Sequence, residues 1–68
     1  MKIIRLRKVL ENTGLGRSTL YKLVGEGKFP PSIRLGERTV GWVEEEVENW
    51  IKARVNARDT AQKLHPVN

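Results

Sequence analysis

Residues 14–29, G-L-G-R-S-T-L-Y-K-L-V-G-E-G-K-F, constrain the rest of the chain most. They read as a tight turn followed by a short helix. Gly25 and Gly27 bracket the helix end, and Pro30–Pro31 forbid its continuation. Leu20, Leu23 and Val24 are spaced i, i+3, i+4 and share one helical face. Ser18, Lys22 and Gly25 fall opposite them, flanked by Arg17, Thr19 and Tyr21, with no carboxylate until Glu26. A helix of two to three turns is marginal alone in water, so it must dock through its three apolar residues. Its other side is then a rigid surface of basic and hydroxyl groups. Such a surface supplies donors for phosphates and for base edges in a major groove.

The flanking segments supply something to dock on. Ile3, Ile4 and Leu6 make an apolar lead-in. Residues 7–13 read as a short helix, and Leu6, Val9, Leu10 and Thr13 recur as one helical stripe. Gly14 fits the left-handed position that ends helices, and Leu15 is expected to turn inward. Gly16 stands at the start of the next helix, where Ser, Thr or Asp would cap better. Ser18 and Thr19 are placed to help satisfy the free N–H groups. Residues 7–25 are therefore helix, short turn, helix. Phe29, held extended by the prolines, is expected to plug the core.

Further on, S-I-R-L and T-V-G-W flank Gly36-Glu37-Arg38, which predicts a small hairpin leaning on the helices. Ile33, Leu35, Val40 and Trp42 are expected inward and Arg34 outward. Residues 44–55 predict a last helix, with Val47, Trp50, Ile51 and Val55 as its apolar set and Glu48–Lys52 as an i, i+4 pair. Glu44, Glu45 and Glu46 suit the helix start better than a metal site, which needs spaced oxygen ligands. Trp42 and Trp50 read as core area, with stacking on bases as the alternative. The apolar period is lost over 56–68. The chain thus divides into a folded unit, 1–58, and a flexible C-terminal tail, 59–68.

Composition narrows the partner. A 68-residue chain buries only roughly 60% of its unfolded surface, enough for one small core and no deep catalytic cavity. It has no cysteine, and its single histidine, His65, is expected to be solvated near the end of the chain. No Ser/His/Asp or Cys/His set, phosphate loop or metal cluster is present, so neither an enzyme, a cofactor, a metal nor a small-molecule substrate is expected. No apolar run is long enough for a membrane span and no secretory signal is visible, so a cytoplasmic protein without a membrane partner is expected. The net charge is +5, and it is uneven. Residues 1–43 hold nine Lys/Arg and three acids, whereas 44–68 hold four basics and five acids. That asymmetry suits a polyanion met by one side of the molecule, or a solvated surface that keeps a small protein dispersed.

The ordered set T-G-L-G-R-S-T-L-Y-K-L, G-K-F-P, I-R-L-G-E-R, V-G-W and E-E-E-V-E-N-W-I resembles the AlpA family of prophage regulators. These are small proteins of the MerR/excisionase-like winged-helix group. The resemblance covers residues 5–54; Gly16 departs from it, where the family usually places a serine cap. It implies a mainly α fold with a small β-hairpin, a winged helix-turn-helix. It also implies a sequence-specific DNA-binding transcriptional regulator of a mobile element, with double-stranded DNA as partner. An excisionase that bends attachment-site DNA, with a recombinase or further copies of itself as partners, is the alternative. From the residues themselves a protein-interaction adaptor using the last helix is a second alternative. The expected DNA-binding residues are Arg17, Ser18, Thr19, Tyr21 and Lys22 on the helix, Lys28 after it, and Arg34 and Arg38 on the wing. For Tyr21 packing against the hairpin is the other reading, and for Lys28, Arg34 and Arg38 simple solvation. A monomer in free solution that binds DNA in adjacent copies is the expected state.

Overall fold

A computed structural model describes residues 1–64, with side chains described through residue 60. The elements run β1 (Ile3–Ile4), α1 (Leu6–Thr13), α2 (Arg17–Gly25), β2 (Ile33–Arg34), β3 (Val40–Val43) and α3 (Glu44–Leu64). The order is helix, turn, helix, wing, helix, with one strand more than the sequence predicts. The solvation expected of His65 and the end of the tail at 65–68 lie outside the described residues. The expected boundary between 58 and 59 falls within α3.

Val9 of α1 is fully buried, with Leu6 and Leu10 packed beside it. Gly14 ends the helix at φ 74°, and its N–H donates to the Leu10 carbonyl at 2.8 Å. The Thr13 hydroxyl donates to the Val9 carbonyl at 2.8 Å and accepts from the Leu15 N–H at 3.2 Å. The turn is thus tied to the helix before it, and Leu15 lies against the core. Gly16 is the N-cap of α2, and its cap carries no side-chain hydrogen bond. Leu20 is fully buried, and Leu23 and Val24 pack on the core as their spacing predicts. Past the helix, Gly27 sits at φ 74°, its N–H donates to the Val24 carbonyl, and the Lys28 N–H donates to the Leu23 carbonyl at 2.8 Å. This pair of reversed bonds is a Schellman closure, and it ties Lys28 to the last turn of α2.

The sheet is three-stranded and antiparallel in the order β1-β3-β2. Ile3 pairs with Val43 and Ile4 with Trp42 on one edge of β3, and Ile33 with Gly41 and Arg34 with Val40 on the other. The lead-in is therefore a strand that completes the sheet. The register also reverses the expected facing of β2. Trp42 is fully buried against the helices, and side chains alternate along a strand, so Val40 and its partner Arg34 share the helix side. Ile33 belongs with Gly41 on the other face, and Leu35, two residues on, follows it. Ile33 and Leu35 are accordingly 38% and 48% exposed.

The core is Ile4, Val9, Leu20, Phe29, Trp42 and Val47, with Trp50 and Ile51 half-buried at its edge. Trp42 Nε1–H donates to the Pro30 carbonyl at 3.0 Å, which pins the loop after α2 to the sheet. Glu44 N–H donates to the Lys2 carbonyl at 2.8 Å, so α3 starts directly from the end of the central strand. Val55 is 40% exposed rather than packed, and residues 52–60 are exposed throughout, because α3 outruns the core after Ile51. Glu48 and Lys52 do not form the expected ion pair; among the described residues the i, i+4 ion pair is Arg7–Glu11 at 3.7 Å.

Candidate nucleic-acid interface

The docked face of α2 dictates what its other face presents. With Leu20 at zero exposure, the turns around it place Ser18 with Lys22 and Arg17 with Tyr21, each pair one helical turn apart. Arg17, Ser18, Thr19 and Lys22 are all exposed. Tyr21 is 46% exposed, so its ring is neither core nor fully free. Among the described residues, no carboxylate lies within ion-pairing distance of Arg17 or Lys22. The helix therefore offers two uncompensated cations, two hydroxyls and a phenol on one rigid surface, the donor set that DNA contacts require.

Lys28 stands apart from this set. It is exposed, and its Nζ lies 3.6 Å from Glu26 Oε1. Such an exposed pair is weak and readily exchanged. Its backbone, in contrast, is held firmly by the Schellman closure and by Trp50, whose Nε1–H donates to the Lys28 carbonyl at 2.7 Å.

The wing turn is closed by two N–H groups, Leu35 and Gly36, donating to the Thr39 carbonyl at 2.7 and 3.2 Å. Residues 36–38 project beyond that closure and are exposed. Arg38 and Glu37 are thus at the tip, whereas Arg34 lies back in the strand on the helix side of the sheet. Arg34 in the strand and Arg38 in the turn are the positions expected of them, and the register adds that Arg34 shares the side of Val40. Both are exposed, and neither has a carboxylate partner among the described residues.

One arrangement escapes the sequence reading altogether. The Phe29 ring meets Trp50 edge-on with centroids 4.8 Å apart, and the Arg54 guanidinium lies 5.3 Å from the centroid of the Trp50 ring. The i, i+4 spacing of Trp50 and Arg54 is the only trace of this in the sequence. Among the described residues, no group of three or more His, Cys, Asp or Glu could hold a metal ion, and no helix is long and apolar enough to cross a membrane. Glu44, Glu45 and Glu46 occupy the first turn of α3, where the helix dipole favours them.

Comparison with known proteins gives this surface a context. A family model described as prophage CP4-57 regulatory protein (AlpA) matches residues 2–55, which contain both helices of the turn, the sheet and the first half of α3. Uncharacterized protein ORF88 of enterobacteria phage P4 is 39% identical over 57 residues, covering 84% of this chain and 65% of the phage protein's length. The DNA-binding transcriptional activator AlpA of Escherichia coli K12 is 33% identical over 60 residues, covering 79% of this chain and 86% of that relative.

Proposed function

Because the chain belongs to the AlpA family of prophage regulatory proteins, we propose that it is a DNA-binding transcriptional regulator of a prophage or other mobile element. Residues 17–25 enter the major groove, where Arg17, Ser18, Thr19, Tyr21 and Lys22 meet base edges and phosphates. The wing grips the adjacent backbone or minor groove through Arg38 at its tip, with Arg34 behind it, and Lys28 meets the backbone beyond the end of the helix. The DNA-binding unit is residues 1–58, and 59–68 is its tail. No catalytic step belongs to this reading, and DNA is its one partner class.

The observation that carries it is the outer face of α2. A nine-residue helix has its apolar side packed on the core and, among the described residues, its cations unpaired. A surface kept merely hydrated has no need of cations without counter-charges along one helix face, whereas a polyanion ligand supplies them. The wing adds an exposed arginine at a projecting tip, the second contact that a winged helix makes.

An electrophoretic shift with promoter and flanking DNA of the mobile element, at several concentrations of unrelated competitor, tests the proposal. Arg17, Lys22, Lys28, Arg34 and Arg38 supply about four to six phosphate contacts per bound copy, so log K should fall with log salt at a slope of about −4 to −5. No shift, or a slope near zero, overturns it in favour of a protein-interaction adaptor.

A further inference from the structure

Arg54 lies one helical turn beyond Trp50 on α3, and the indole links it to Lys28. The guanidinium carbon lies over the ring, 5.3 Å from its centroid, while the ring N–H donates to the Lys28 carbonyl. Phe29 backs the indole from the core, and Phe29, Pro30, Pro31 and Trp50 line an open recess of about 300 Å³ beside Lys28. The Arg54 guanidinium and the Lys28 backbone, far apart in sequence, are therefore brought to one aromatic ring, and the Lys28 ammonium is carried on an exposed side chain beside it. Among the described residues, Arg54 has no carboxylate partner, whereas Arg58, one turn further, is occupied by Asp59 at 3.0 Å.

We propose that Lys28 and Arg54 together hold one backbone phosphate of DNA at the edge of the groove that receives α2, an inference that rests on the DNA-binding reading above. Helix length supports the placement. Nine residues make a helix of about 14 Å, and the major groove is about 12 Å wide. Residues just past the end of α2 therefore lie at the groove wall, where the phosphates are. Lys28 is bonded by its backbone to that end, so a duplex seated on α2 brings a strand to it. The guanidinium is planar and, among the described residues, has no carboxylate partner, so its N–H groups are available for the bidentate geometry of a phosphate. The weak Lys28–Glu26 pair yields to a phosphate carrying a full charge. An acidic protein segment could meet the same two cations, but it would not need one of them tied to the last turn of α2.

The test is a set of binding isotherms at several salt concentrations with a mixed-sequence duplex a few turns long, since a phosphate contact is independent of sequence. The chains are the parent, Arg54→Gln and Arg54→Lys, each with a thermal melt beside it. Glutamine keeps a planar polar group but removes the charge; lysine keeps the charge but not the planar guanidinium. Arg54→Gln should make the salt slope shallower by at most about one unit and lower affinity by at most about five-fold at about 0.15 M salt, because Lys28 still faces the shared phosphate. Arg54→Lys should keep the parent's slope, and both melts should stay close to the parent's. If the parent binds and Arg54→Gln binds identically, the clamp is refuted, and an acidic protein segment becomes the fitting partner for the pair. If both variants weaken binding equally without changing the slope, Arg54 only braces Trp50, and the proposal again falls. A parent that fails to bind the duplex at all refutes instead the reading on which this rests.

Discussion

Gly41→Ala tests whether the wing is held by the close approach of three strands. Gly41 is buried in the central strand, opposite Ile33. A Cβ added there would lie 2.5 Å from Ile3 Cγ2, 3.0 Å from the Ile4 carbonyl oxygen and 3.0 Å from Leu35 Cδ1. These obstacles differ in kind. Leu35 is nearly half exposed and can swing aside. Ile3 Cγ2 hangs directly on a branched Cβ and moves only with a change of χ1, and the Ile4 oxygen is backbone. Forcing a methyl into such a site typically costs about 1–3 kcal/mol. The φ of Gly41 is not positive, so alanine regains about 0.4–1 kcal/mol through the unfolded chain. The net loss should be about 1–2 kcal/mol, equivalent to a fall in Tm of about 4–16 °C for a domain of this size.

The strand must shift to admit the methyl, and the wing shifts with it, so DNA affinity should fall as well. Thermal and urea melts of Gly41→Ala, Ile3→Ala and the double variant measure the effect. Ile3→Ala removes the nearest obstacle, so Gly41→Ala should cost less in that background, with a favourable coupling of about 0.5–1 kcal/mol. A neutral Gly41→Ala, or one that costs the same with and without the Ile3 side chain, refutes the packing account.

Arg17→Ala with Lys22→Ala should leave the melt within about 0.5 kcal/mol per exposed site yet weaken DNA binding; unchanged affinity in a shift assay means that α2 does not enter the groove. Lys22→Ala alone discriminates its target: a loss of about 1–3 kcal/mol with relaxed preference at one base position marks a base contact, and equal weakening on all sequences marks a phosphate. Arg38→Ala should melt like the parent and bind more weakly, with a salt slope shallower by about one unit. Glu37→Gln, which removes the acid at the same tip, should modestly raise affinity. An Arg38→Ala isotherm that matches the parent at every salt concentration makes the hairpin a brace only.

Much of this molecule is legible one segment at a time. The turn at Gly14, the helix end before Pro30–Pro31, and the burial of Leu20, Leu23 and Val24 follow from local backbone preference and a period of 3.6. Those rules need no knowledge of neighbours, and α2's outer face follows as the complement of its docked one. The family resemblance over 5–54 likewise lies in the linear order of the motifs, and the family match over 2–55 agrees with it.

What pairing and packing decide is not written in any one segment. Ile3–Ile4 is too short to announce itself as a strand and exists because one edge of β3 is available to it. Ile33, Arg34 and Leu35 alternate equally well in either facing. Strand side chains have a period of two, so only the register against Val40 and Gly41 chooses between faces. Val55 fits the apolar stripe of α3 and yet is exposed, because the helix continues where the core has ended. Arg54 and the Lys28 backbone come to the one Trp50 indole only after the loop carrying Lys28 folds back onto α3. Helical faces depend on spacing within a segment, whereas strand facing and the joining of distant residues depend on which segments come to lie side by side.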